Sequence, residues 1–272
     1  MPQFEFKGKK IHYEIHGEGQ PIVLLNGIMM STLSWHQFIA PLSANNKLIL
    51  MDFFDQGQSD KYKEEPYGMD LQVASLKALL DHLSLEKPAI AGISYGGNVA
   101  LKFASEHPEY VHRLMVFNAS TKTGEWGKEL GQSWIMSAND PTHFYSTTIP
   151  IIYSQDFYNS RPDWVKARKD FLINQVFTNK EFMEGIVRLT HSSVEYNVEN
   201  QLDKITAKTL IVASETDPIT PAHEQYKLRD LIAGSDLVLL PSTGHASMYE
   251  RPALFVSLLT GFANSQLEGL TI

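Results

Sequence analysis

The sequence predicts an α/β fold: a mostly parallel, eight-stranded sheet flanked by helices, with a helical insertion after the sixth strand. Three observations predict it. Short apolar runs of β type alternate with longer helix-like stretches along the chain. The runs are nearly continuous in hydrophobicity, as strands buried on both faces of a parallel sheet are. The alternation stops once, from about residue 121 to 200, where aromatic residues are dense and no buried-type strand occurs.

Taken in order, "QFEFKG" and "KIHYEIH" alternate polar with apolar residues, which predicts an antiparallel hairpin at the sheet edge. Six buried strands follow: "PIVLL" (21–25), "KLILM" (47–51), "PAIAGI" (88–93), "HRLMVFN" (112–118), "KTLIVA" (208–213) and "DLVLL" (236–240). Residues 69–85 are amphipathic with helical period. In "GGNVALKFASEHPEY", Val99, Ala100, Phe103 and Ala104 share a helix face, and Pro108 marks its end. The aromatic stretch, running from Trp126 and Trp134 through Tyr153 and Trp164 to Phe182, reads as helices covering one end of the sheet. The chain therefore divides into a core of residues 1–121 and 200–272 and a helical segment of 122–199.

Composition narrows the function classes. A net charge of -8 without a Lys/Arg-rich block disfavours attraction to nucleic acid or anionic membrane. The absence of cysteine removes disulfides and thiolate metal sites. "MPQFEFKGKK" lacks the apolar core of a signal peptide, and no run approaches the ~18 residues of a membrane span. The expectation is a soluble, cytoplasmic protein. Since no HExxH, P-loop or Rossmann glycine pattern occurs, no metal or cofactor is expected either.

The stretch "AGISYGG" closes the fifth strand and opens a helix, so Gly92-Ile93-Ser94-Tyr95-Gly96 matches G-x-S-x-G in the strand-turn-helix context that motif requires. A plain strand-to-helix turn also carries this pattern, so the serine needs companions. A serine hydroxyl becomes a nucleophile when a base takes its proton and a third group orients that base. Asp217 follows the seventh strand in "SETDPITP", and His245 follows the eighth in "PSTGHASMYERP". Glu215 lies too close to its strand's end, and Asp203 precedes that strand. His12 and His16 on the hairpin, His82 and His107 near helix ends, and His223 at a helix start are assigned to solvent or capping. His36, His143 and His191 remain able to line a pocket.

In the order Ser94, Asp217, His245, with each at the end of a strand, the chain resembles the α/β-hydrolase superfamily with a lid domain, and the resemblance covers nearly the whole core. It implies a Ser94-His245-Asp217 triad and an oxyanion hole from the backbone N–H groups of Ile28 and Tyr95, with Met29 a less favoured donor. Family members commonly carry His-Gly where this chain has Asn26-Gly27; replacing Asn26 with histidine is expected to be tolerated. The family's D-x-R-G-x-G-x-S loop appears as "DFFDQGQS", with Phe54 and Asp55 in the arginine and glycine positions, which predicts altered ion pairing there.

The resemblance implies a carboxylic ester or thioester hydrolase for a small to medium hydrophobic substrate, working through an acyl-enzyme and without a cofactor. A ligand sensor with slow turnover, a C–C bond hydrolase and a cofactor-free perhydrolase use the same residues. A serine rather than an aspartate at the turn argues against dehalogenase and epoxide-hydrolase chemistry. A minority of the lid aromatics is expected to touch substrate. Arg161, Lys166, Arg168 and Lys169 lie close in sequence; an acyl carrier protein would suit them, but a solvated helix face is preferred.

Overall fold

Eight strands form one sheet in the order β1-β2-β4-β3-β5-β6-β7-β8 in the computed structural model of the chain, which describes residues 2–265. They are β1 (Gln3–Phe6), β2 (Lys9–His16), β3 (Gln20–Leu25), β4 (Asn46–Met51), β5 (Ala89–Ile93), β6 (Arg113–Phe117), β7 (Lys208–Ser214) and β8 (Asp236–Leu240). The first two run antiparallel, β2 joins β4 antiparallel, and every later pairing is parallel.

Burial on both faces explains the continuous apolar strands. Alternate side chains of one strand enter different cores. Val23, Leu25, Ile49, Ile90, Val116 and Ile211 face one side, where α2 (Asp70–His82) and α3 (Tyr95–Glu106) pack. Ile22, Leu24, Leu50, Ala91, Phe117 and Val212 face the other, against α1 (His36–Ser43) and a C-terminal apolar helix over Pro252–Ala263. The β8 strand departs from the expectation. As the outer strand beyond β7 it leaves Leu239 exposed, although its sequence is as apolar as its neighbours'.

Five helices lie between β6 and β7: α4 (Glu125–Ser137), α5 (Pro141–Thr148), α6 (Gln155–Ser160), α7 (Pro162–Phe171) and α8 (Lys180–Ser192). Their apolar interior is continuous with the second core, through residues such as Trp134, Phe144 and Ile186. After β7 come α9 (Ala222–Leu231), α10 (Ser247–Glu250) and α11, the Pro252–Ala263 helix. Sequence pattern left α1 and α11 unassigned. The first carries Pro41 inside a short helix, and the second is too apolar to show a polar face.

The altered loop after β4 fastens the inserted helices to the core. Asp55 adopts φ 71°, the left-handed conformation a glycine would take and one that aspartate tolerates. Its carboxylate accepts from Arg188 Nη2 at 2.6 Å and Nε at 3.0 Å, from the Tyr67 hydroxyl at 2.6 Å and from the Tyr62 N–H. Arg188 belongs to α8. A Cβ on Gly185, one turn earlier in that helix, would come within 2.5 Å of the Asp55 carbonyl oxygen, so glycine permits the close approach. The expected change in ion pairing is therefore present, as a tie from loop to lid.

Asp55→Asn keeps the shape and the tolerance of positive φ while removing the charge. It should lower unfolding free energy by about 1–3 kcal/mol in denaturant titration. Adding Arg188→Met should then cost less than that substitution does alone, because the interaction is already lost.

Candidate active site

The site forms where the sheet reverses its strand order. From β3 the chain moves outward to β4, whereas β5 lies on the opposite side of β3, and a crevice opens at the carboxyl ends of β3 and β5. Ile28 follows the first of these strands and Ser94 the second. Both line the same cavities.

Ser94 occupies a strained turn, with φ 51° and ψ -118°. Its flanking glycines show why the turn is possible. A Cβ on Gly96 would come within 2.6 Å of the Leu25 and Asn26 carbonyl oxygens, and one on Gly92 would collide with the Gly96 carbonyl. The Ser94 N–H donates to Phe117 O at 2.9 Å, fixing the turn to the end of β6. Tyr95 starts α3, so its N–H is among the donors that the helix itself leaves unpaired.

The structure brings Ser94, His245 and Asp217 into one chain of hydrogen bonds. Asp217 as a carboxylate only accepts, so His245 Nδ1–H donates to Asp217 Oδ2 at 2.7 Å. That leaves Nε2 to accept from the Ser94 hydroxyl at 2.8 Å. Burial pushes the Asp217 carboxyl up, but the His245 charge and the bonds from His245 and Thr220 outweigh it and hold the group below its ordinary value. Asp217 also accepts from Asn118 Nδ2 at 2.8 Å, Thr220 Oγ1 at 2.7 Å, and the N–H groups of Ile219 and Thr220. Sequence reasoning missed Asn118 and Thr220. Their signal was position: Asn118 ends the β6 run, and Thr220 lies three residues past the acid.

Other candidates fall elsewhere. Glu215 accepts from the Ser242 N–H at 2.8 Å and braces the loop after β8. Asp203, His36, His143 and His191 are exposed, away from the triad's void and groove, while His223 lies on the groove's rim. His12 is not a solvent-facing hairpin residue. It is fully buried, with Nε2 near Glu14 and Gln58 at 3.3 Å.

Asn26 has partners that its place in the sequence did not show. It is fully buried and donates through Nδ2 to Met51 O at 2.8 Å and Gln56 Oε1 at 3.0 Å, while Oδ1 accepts from Trp35 Nε1 at 2.6 Å. Gln56 Nε2 in turn donates to Gly27 O at 2.9 Å. The amide thus holds the turn that presents Ile28.

Two compartments meet at Ser94. An inner void of about 110 Å³ is walled by Met29, Ile152, Leu172, Val176, Phe177 and Met248, among others. An outer groove of about 430 Å³ runs past Trp126, Thr220, His223 and Glu224. Trp134 borders both. Of the lid aromatics, Trp126, Trp134, Tyr153, Phe177 and Phe182 reach these spaces, while Phe144, Phe157 and Trp164 pack within the lid. Among the described residues no cluster of three or more His, Cys, Asp or Glu side chains has metal-site geometry, and no helix is long and apolar enough to cross a membrane.

Comparison with known proteins agrees with the fold. A family profile described as alpha/beta hydrolase fold matches residues 20–147, and one described as TAP-like protein matches residues 180–256. The chain is similar to the crystal structure of MGS-M2, an alpha/beta hydrolase enzyme from a Medee basin deep-sea metagenome library, at 41% identity, TM-score 0.97 and full coverage of both chains. It is also similar to Est816, an N-acyl homoserine lactone degrading enzyme, at 27% identity and TM-score 0.80, over 96% of this chain and 100% of that one. A proline iminopeptidase of Lactobacillus acidophilus is 25% identical, over 93% of this chain and 94% of its own.

Because Asn26 is fully buried and its amide is bonded through both nitrogen and oxygen, Asn26→His should lower stability by about 1–3 kcal/mol through the bonds it loses. A thermal melt matching the parent's would show that the loop around Gln56 can yield.

Proposed function

The chain belongs to the α/β-hydrolase superfamily and is a hydrolase, and on that premise we propose that it cleaves a carboxylic ester or thioester whose acyl group is small to medium and largely apolar. The observation carrying this reading is the hydrogen-bonded chain from Ser94 through His245 to Asp217, placed where a void and a groove, both lined mainly by apolar surface, meet.

In this reading the acyl part enters the void and the leaving group lies in the groove. Ser94 Oγ attacks the carbonyl carbon while His245 Nε2 takes its proton, and Asp217 stabilises the resulting imidazolium. The N–H groups of Ile28 and Tyr95 receive the oxyanion, where fixed donors stabilise charge as it develops. The imidazolium returns the proton to the leaving oxygen or sulfur, whose bond to the carbonyl carbon breaks. Water, deprotonated by His245, then releases the acid from Ser94. Relatives named for a lactone and for a peptide substrate share this scaffold, so the bond cleaved is settled by comparing leaving groups on one acyl chain.

Ser94→Ala should abolish turnover while leaving the protein folded. Asp217→Asn should reduce kcat by roughly 10⁴-fold, through the wrong histidine tautomer. If Glu215→Gln does more damage than Asp217→Asn, the acid has been misassigned.

An acyl series from acetyl to decanoyl with one leaving group tests the pocket. Each methylene that the void accepts should add up to ~0.8 kcal/mol, about fourfold in kcat/KM. Because the void is small, the rise should end within the first few methylenes and then reverse. A flat profile at single-turnover rates would favour a ligand-sensing role instead.

A further inference from the structure

The inner void carries a charge that neither the triad nor the apolar wall uses. Arg168 lies on α7 and lines the void together with Ser94, Tyr153, Leu172 and Tyr249. Its Nε is buried without a hydrogen-bond partner. Of its basic neighbours, Lys166 pairs with Asp170 at 2.8 Å, Arg161 lies over the Phe157 ring and Lys169 over the Tyr145 ring; Arg168 lies over the Phe171 ring, and of the four it alone lines the void. Arg168 is thus a partly exposed member of the lid's basic face that also borders the void.

An arginine cannot shed its proton to escape burial, and an unmet donor on a charged group costs more than one on a neutral group. The Tyr153 hydroxyl accepts from the guanidinium, while Nε has no acceptor. Burial pushes the Tyr153 phenol up to about 12, against the pull of the Arg168 charge. Burial likewise raises Tyr249, again opposed by Arg168. Both hydroxyls thus lie within the field of the guanidinium. The chain continues from α7 into a π-helical turn, Leu172–Val176, whose ends, Leu172 and Val176, contribute to the same apolar wall.

We propose that the inner void takes an acyl chain ending in a carboxylate, received by Arg168 with the Tyr153 hydroxyl, so that the substrate is a monoester or monothioester of a dicarboxylic acid. This rests on the hydrolase reading and specifies its substrate class. A planar carboxylate meets the guanidinium fork with two parallel hydrogen bonds. A methyl-ended chain of the same length sets an apolar end against the Arg168 charge and leaves Nε unmatched, so it gains less from each added methylene near that end. Selectivity should therefore appear at the chain length that spans from the Ser94 acyl position to Arg168, and not at shorter lengths.

The test uses matched thioesters with one leaving group, their acyl chains running from malonyl to suberyl and ending in either carboxylate or methyl. At one length the carboxylate form should be preferred by about 10- to 100-fold in kcat/KM, mainly through KM. Arg168→Gln should bring that ratio near one, and Arg168→Lys should retain part of it. A ratio of one or less at every length, in a protein that turns over acetyl thioester, overturns the proposal. So does a preference that survives Arg168→Gln. Failure of the hydrolase reading looks different, since no member of either series would turn over. Calorimetry of Ser94→Ala protein with the same pairs then decides the proposal: tighter binding of the carboxylate form, lost in the Ser94→Ala/Arg168→Gln protein, supports it, and equal binding overturns it.

Discussion

Backbone crowding at the end of β5 is the constraint on which the rest of the site depends. Where Gly92, Gly96 and the carbonyls of Leu25 and Asn26 meet, no side chain fits, and that closeness lets α3 begin directly behind the strand. Ser94 is left in a left-handed conformation that an isolated chain would abandon, and the surrounding contacts over-determine it. The hydroxyl is thereby presented where β6, β7 and β8 end. Loops after those strands supply Asn118, Asp217 and His245, and parallel pairing places their ends side by side.

The inserted helices are tied down on both sides of the triad. On one side Asp55 grips Arg188. On the other, the buried Glu250 accepts from the Ser154 N–H and hydroxyl, each at 2.7 Å, and from the Gly244 N–H, while the Ala246 N–H donates to Ile152 O at 2.9 Å. Of the residues flanking His245, Ala246 is therefore bonded to the lid backbone directly, and Gly244 is linked to it through the shared Glu250 carboxylate. This couples the position of the base to the wall of the void, because Ile152 and Tyr153 belong to that wall. Between the two ties lies α7, the more exposed helix, which brings Arg168 into the cavity.

What the sequence made legible follows the physics of each signal. Strands buried on both faces announce themselves by continuous hydrophobicity, and this located β3 to β7 within a residue or two. The β8 run looked the same, but its exposure depends on having no outer neighbour, which is a property of the sheet. Ser94, Asp217 and His245 were readable because strand ends carry function in such folds. Asn118, Gln56 and Glu250 were not, since each acts through partners brought close only by folding; Glu250 and Ser154 are 96 residues apart in sequence. Asp55 showed that its loop was altered, yet nothing local named Arg188, 133 residues away. Charge pattern alone could not show that Arg168 borders the void while Lys166 points to solvent.

The central claim is that strain, packing and the hydrogen-bond chain make Ser94 a nucleophile. Reaction with a fluorophosphonate ester, followed by intact-mass measurement and peptide mapping, tests it without knowledge of the substrate. The account predicts one phosphonyl group per chain, carried by Ser94, with labelling slowed by orders of magnitude in His245→Ala protein. Labelling at another residue, or at Ser94 with equal speed when His245 is absent, would contradict it.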